Sequence, residues 1–349
     1  PPSLIYRLRK GLMRGRVALL LIAGGFVVVT AVLLPSYLQE RRDRIRRDRE
    51  LVEEQKRARE HEAALRWKSE ALQNLGTLWM EVVLVRERYR QAQENPRQLR
   101  QDLEAVTVRV GEFIRNHHDL PQGHYVRAQA FLYLDHPDRA EKDLQEALRM
   151  DPGFLPGHFL LGRVYLEQYV TGLYGPSEEA ERVMREAKPL LEKARAELNR
   201  GRGGKIEDWG LVRTREDDRI PVVTEALEAA YLDRDQDRAL SLLLASEEQG
   251  PSEDVENHLG LLCRTLPEAI EWETKALTTM PWFSKARLDR ANLYNKAQRF
   301  EEAFEDYSKA AEINPGLSDA HFGMGLHWAR NSKWDKAVEA YSQALTLDP

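Results

Sequence analysis

Three prolines, Pro281, Pro315 and Pro349, are spaced by one fixed interval, 315 − 281 = 34 and 349 − 315 = 34. Between them small and aromatic residues recur in phase. A repeat of that length cannot bury an apolar face alone, so it must stack on its neighbours. The period therefore predicts an all-α helix–turn–helix solenoid, an architecture that binds other proteins and is not itself a sign of chemistry.

The last two units align residue by residue. One carries Ala291, Tyr294, Ala303, Tyr307, Ala310 and Pro315; the next carries Gly325, Trp328, Ala337, Tyr341, Ala344 and Pro349. A small residue on the first helix lets the second approach closely, and the proline closes the unit because it cannot continue a helix. Ala128, Phe131, Ala140, Leu144, Ala147 and Pro152 fall in the same phase upstream, and Leu161, Gly162 and Tyr165 open a further unit. This pattern resembles the tetratricopeptide repeat (TPR), W-x2-L-G-x2-Y, then A-x3-F, then P. The best units are 121–154, 284–317 and 318–349. Degenerate ones are 155–200, 221–250 and 251–283, with Thr171–Gly175 interrupting a turn before a long helix over Ser177–Leu198. In the last degenerate unit the step from Gly260 to Ala269 is 269 − 260 = 9, against 337 − 325 = 12 from Gly325 to Ala337, so one helical turn is missing. The solenoid is expected over 72–349. It ends at its closing proline without a polar cap, and the chain opens on Pro1 instead of methionine; both predict a piece of something longer.

Ahead of the repeats the composition changes. Val17–Leu34 holds no charged residue, and extending it to Leu38 gives 38 − 17 + 1 = 22 residues, enough for a bilayer. The expectation is a basic segment at 1–16, a transmembrane helix at 17–38 and a charged helical stalk at 39–71. Basic residues flank the span on both sides, so the positive-inside rule does not choose an orientation. In the stalk, Glu40–Arg44, Asp43–Arg47, Glu53–Arg57 and Glu62–Arg66 are acid-to-base pairs four apart, which support a helix. Its apolar residues, Leu38, Ile45, Val52, Ala58, Leu65 and Leu72, supply one position per heptad where a coiled coil needs two. A single charged helix is expected, with a weak parallel dimer as the alternative.

The opening Pro1, Pro2, Ser3, Tyr6, Arg7, Leu8, Arg9 and Lys10, followed by the span, the Arg/Glu-rich helix and the repeats, resembles the tail of bacterial receptor-like serine/threonine kinases. That resemblance implies a cytoplasmic kinase domain upstream, a bacterial inner-membrane location and repeats outside the cytoplasm. No kinase residue is carried over, because the chain has no G-x-G-x-x-G, H-R-D or D-F-G.

Charged residues make up 31% of the chain and the net charge is −5, which argues against a general nucleic-acid binder. Cys263 is the single cysteine, so no intramolecular disulfide is available. No catalytic, cofactor or metal site is expected. Gly201, Gly203, Gly204 and Lys205 fail the phosphate-loop spacing, with Asn199 and Ile206 at the required positions. His117 and His118 point apart on a helix and read as a helix end. Cys263, Trp272 and Trp282 read as packing.

The resemblance to TPR solenoids implies that first helices line a concave groove. Positions one after the small seam residue and three before it are expected to face that groove: Gln129 and Tyr125, Asn292 and Leu288, Leu326 and Phe322. Such a groove takes protein or peptide segments. The expected function is a membrane-anchored TPR scaffold, the sensing or scaffolding tail of a kinase; the alternative is a free-standing membrane-tethered assembly factor.

Overall fold

The computed structural model describes residues 3–91, 95–173, 188–202 and 215–347. It divides into two compact units, residues 1–70 and 71–349. All regular structure among the described residues is helical.

The first unit consists of the leading part of α1 (Leu4–Gln91). Glu40–Arg44, Glu53–Arg57 and Glu62–Arg66 form ion pairs along it, with both partners exposed. Ile45, Val52 and Leu65 are exposed on the same helix. No helix among the described residues is long and apolar enough to cross a membrane. The single-pass anchor at Val17–Leu38, the inner-membrane location and the extracytoplasmic repeats are corrected accordingly. The apolar run is not an element of its own: the helix passes through both of its ends, and through Pro35, into charged turns. The side chains at 17–25, 28–29 and 32–33 lie outside the described residues.

The second unit begins within α1, where Ala71, Leu75, Trp79 and Val82 are buried at helical spacing. Then come α2 (Pro96–Asn116), α3 (Pro121–Tyr133), α4 (Pro137–Met150), α5 (Leu155–Leu173) and α6 (Lys188–Gly201). After these follow α7 (Arg215–Leu227), a π turn (Glu228–Leu232), α8 (Gln236–Glu247), α9 (Glu253–Leu262) and α10 (Leu266–Thr279). The series closes with α11 (Ser284–Lys296), α12 (Phe300–Ile313), α13 (Ser318–Arg330) and α14 (Trp334–Leu347). Neighbouring helices pack in order: α3 on α4, α5 on α6, α9 on α10, α11 on α12 and α13 on α14.

Local chemistry sets the boundaries. Asn95 caps α2, its side chain accepting from the Arg97 amide at 2.9 Å, with Pro96 in the first turn, where its missing N–H costs nothing. α2 ends at Asn116, as the His117–His118 pair predicts. Pro221 does not open a helix; it lies inside α7. The missing helical turn is real: α9 has 10 residues, whereas α13 has 13. Of the expected long helix over Ser177–Leu198, residues 177–187 lie outside the described residues.

The seams follow the small-residue pattern. Ala291, Ala303, Ala310 and Ala320 are buried around Tyr307. A Cβ on Gly325 would meet the Tyr341 ring at 2.5 Å. The turns between paired helices place Asp135, Arg234, Gln298 and Ser332 in the left-handed region, at φ 57–61°, a conformation that favours glycine. After that residue the chain closes back on the first helix, with the Arg299 amide donating to the Tyr294 carbonyl and that of Lys333 to the Trp328 carbonyl. Tyr294 and Trp328 then lie under the cations of the same turns, Arg299 and Lys333, at 4.4 and 4.9 Å.

The 34-residue equivalence also shows what each second helix offers its successor. Phe300 lies under Arg330 at 3.6 Å, and Phe304 stacks on His327 at 4.1 Å. The corresponding residues of α14, Trp334 and Val338, are both 64% exposed.

Candidate functional site

The solenoid turns far enough for distant elements of the second unit to meet. The Asp135 carboxylate accepts from Ser284 Oγ at 2.7 Å and from Asn314 Nδ2 at 3.1 Å, which ties the α3–α4 turn to the start of α11 and the end of α12. Arg86 and Arg90 of α1 donate to the two oxygens of Glu253 at 2.7 and 2.8 Å. Arg163 of α5 donates to Glu167 and to Asp254, both at 2.7 Å.

These contacts surround a cavity of about 130 Å³. Its polar wall includes Arg86, Arg100, Asp135, Arg163, Glu253 and Lys285; its apolar wall includes Leu103, Leu132, Leu160, Met280, Phe283 and Ile313.

The charges are placed by short helices that have surrendered apolar positions. In α9, Glu253, Glu256, Asn257 and His258 are all buried. Burial opposes the charge on Glu253, but Arg86 and Arg90 outweigh it and hold its carboxyl below the usual range. Burial likewise opposes Asp254, and Arg163 with His258 keeps it low. Burial lowers the Lys285 pKa, but Glu167, Asp289 and Asp254 outweigh it and hold the ammonium above the ordinary lysine range. Beside the cavity, Asn257 Nδ2 donates to Glu273 Oε2 and to Asp289 Oδ2, both at 2.9 Å. Burial and the neighbouring Asp289 push Glu273 well above the carboxylate range. Burial pushes Glu256 up to about 7.

The expected groove residues do not gather in one place. Gln129 lines the cavity and donates to the Tyr125 hydroxyl at 3.2 Å. Tyr125 is buried, its ring edge-on to Phe154 at 5.6 Å. Leu288 is buried in the cluster around Ala291 and Tyr307. Asn292 is half-buried and accepts from the Tyr307 hydroxyl at 2.7 Å. Phe322 is 40% exposed and tilts against Tyr341, while Leu326 is half-buried.

Sequence reasoning missed Arg86, Glu253, Arg163, Asp254 and Lys285. Their partners lie up to 167 residues apart, and no local spacing announces such pairs. The one local signal was the run of polar residues in Glu253–His258, where a repeat helix ought to be apolar on its inner face.

A Cβ on Gly201 would strike the Phe159 backbone; Gly203, Gly204 and Lys205 lie outside the described residues. Trp272 and Trp282 both pack on the main core. Cys263 is half-buried at the end of α9, its thiol pushed up to about 11 by burial. No cluster of metal-ligating side chains occurs among the described residues.

With this geometry in hand, residues 125–200 and 288–349 match the tetratricopeptide repeat family. The chain therefore carries TPR units in an all-α solenoid, and such repeats suggest a protein–protein interaction scaffold. Similar solved structures include MamA, at 16% identity, covering 63% of this chain and 94% of that one, with a TM-score of 0.27. Another is YrrB, described as a TPR protein with an unusual peptide-binding site, at 17% identity over 69% of this chain and 92% of that one, with a TM-score of 0.27. A third is the Cut9–Hcn1 hetero-tetramer of the APC/C, at 12% identity over 77% of this chain and 46% of that one, with a TM-score of 0.42. No curated protein sequence matches the chain.

Proposed function

We propose that the chain is a TPR scaffold that holds a peptide segment of a partner protein on the first helices of its last two repeats, α11 and α13. The observation that carries this reading is Phe322. It is a large apolar side chain, 40% exposed, on a first helix whose Ala320, Gly323, Gly325 and His327 are buried. Half-buried Leu326 lies one turn further along the same helix, and half-buried Asn292 holds the equivalent first-helix position in α11. An aromatic that can be desolvated is the type of anchor that carries binding energy. Tyr125 and Leu288 are buried packing residues.

Association with a serine/threonine kinase has only the resemblance of Pro1–Lys10 behind it. No matched family region reaches those residues. The proposal therefore concerns the repeats alone.

The test is a displayed random-peptide selection on the whole chain, followed by affinity measurement. Phe322→Ala and Asn292→Ala should each weaken the selected peptides by roughly tenfold or more, about 1.4 kcal/mol, with unchanged circular dichroism. Equal affinity for wild type and both variants would remove this face as the binding site.

A further inference from the structure

The cavity walled by Arg86, Glu253 and Lys285 has a chemical asymmetry. Each wall carboxylate already has a donor: Asp135 has Ser284 and Asn314, Glu253 has Arg86 and Arg90, and Glu167 and Asp254 share Arg163. Arg100 is likewise engaged, donating to the Leu134 carbonyl at 3.2 Å. Two wall donors remain unmatched among the described residues. Lys285 makes no hydrogen bond and no ion pair within 4.0 Å; the acids that hold its charge act from farther away. The buried Trp282 Nε1 has no acceptor. A buried donor without an acceptor is costly, and the half-buried Lys285 ammonium has no contact ion. What these two donors lack is an acceptor, and for Lys285 an anionic one.

We infer that this cavity is a site for one carboxylate on a short apolar stem, with Lys285 as its ion-pair partner and Trp282 as a hydrogen-bond donor. The volume sets the size. At about 130 Å³ it is slightly smaller than an apolar cavity of about 150 Å³ that admits benzene, so it accommodates a stem of a few carbons. Leu103, Leu132, Leu160 and Ile313 provide apolar contact for that stem. The nearby charges set the valence. Glu167 and Asp254 already compensate part of the Lys285 field, so a dianion such as phosphate would meet repulsion that a single carboxylate largely escapes. The inference goes beyond the scaffold reading, because a free acid would bind whether or not a protein partner does. The carboxylate has two sources, a small organic acid or a peptide, the latter through its C-terminus or a glutamate side chain.

The experiment is titration calorimetry on the full chain with isobutyrate, N-acetylvaline and N-acetylglutamate amide, each against its neutral carboxamide. At least one acid should bind saturably, with a preference over its amide of roughly tenfold or more, as charge-assisted hydrogen bonds require. Its affinity should fall as salt rises. The best acid of the three identifies the source. Lys285→Met should abolish the acid–amide preference, Lys285→Arg should retain part of it, and Trp282→Phe should weaken the acid several-fold. Equal binding of acid and amide, no saturable binding of any acid, or an undiminished preference in Lys285→Met overturns the inference. Should Lys285→Met fail to fold, the acid–amide comparison on the native chain decides. Failure here leaves the Phe322 test untouched, and the reverse also holds.

Discussion

The last two repeats and the helix pair α9–α10 are built on the same plan from opposite materials. In α11–α14 the seam is alanine, glycine and tyrosine: Ala291, Ala303, Ala310, Gly325 and Ala337 are buried, Tyr307 packs among the first three, and Tyr341 fills the space at Gly325. In α9–α10 the corresponding interior holds Glu253, Glu256, Asn257, His258 and Glu273, all buried. The apolar seam gains stability from contact area and close packing. The polar one must satisfy each charge or lose stability. The difference teaches where this solenoid gives up stability for something other than folding: α9 of the polar pair lends Glu253 and Asp254 to the wall of the cavity, and the apolar pairs leave Phe322 exposed.

The largest effect that would separate the two regions is expected at Glu253. Its removal leaves Arg86 and Arg90 facing each other with side chains only 15% and 23% exposed. Glu253→Ala should destabilise the second unit by about 3–5 kcal/mol, as breaking a buried ion pair does, measured by denaturant unfolding. A loss of only a few tenths would mean that the arginines are solvated and the contrast is false. In the apolar region, Gly325→Leu should cost roughly 1–3 kcal/mol through overpacking against Tyr341. An unchanged melting curve would show that the seam is loose.

The two regions should also differ in their response to pH. Glu256, pushed up to about 7, and Glu273, pushed well above the carboxylate range, bind protons in the folded state that the unfolded chain releases at ordinary carboxyl values. Stability therefore falls as pH rises from the unfolded carboxyl range through about 7. Hydrogen exchange in α9 and α10 should accelerate, beyond the intrinsic base-catalysed rise, between pH 5 and pH 8, whereas α13 and α14 should show only the intrinsic change. Glu256→Gln should flatten part of the α9 response. The smallest effect concerns the turns. Gln298→Gly should stabilise by a few tenths to about 1 kcal/mol, because its backbone sits in the left-handed region where a side chain is strained. A loss of stability would locate the Gln298 contribution in its side chain.

The apolar region was legible in the sequence. Its phase is carried by residues 34 positions apart, such as Ala303 and Ala337, and each faces its own neighbour, so local spacing contains the packing. The polar region was not legible. Arg86 and Glu253 meet only because the superhelix curves through several repeats, and curvature accumulates from small rotations that no single residue encodes. The groove assignment shows the same limit. It placed Tyr125 and Leu288 on an open face, but the repeats approach closely enough to bury both. The left-handed turns were hidden for another reason: Asp135, Arg234, Gln298 and Ser332 stand where glycine would have signalled them. The apolar run at Val17–Leu38 misled in the opposite direction, because composition alone does not show that a helix continues through it into charged turns.

The most direct test of the central claim is hydrogen exchange of the whole chain with and without a display-selected peptide. The scaffold reading predicts new protection on α11 and α13, centred on Asn292, Phe322 and Leu326. Protection confined to α12 and α14, with α11 and α13 unchanged, would contradict it.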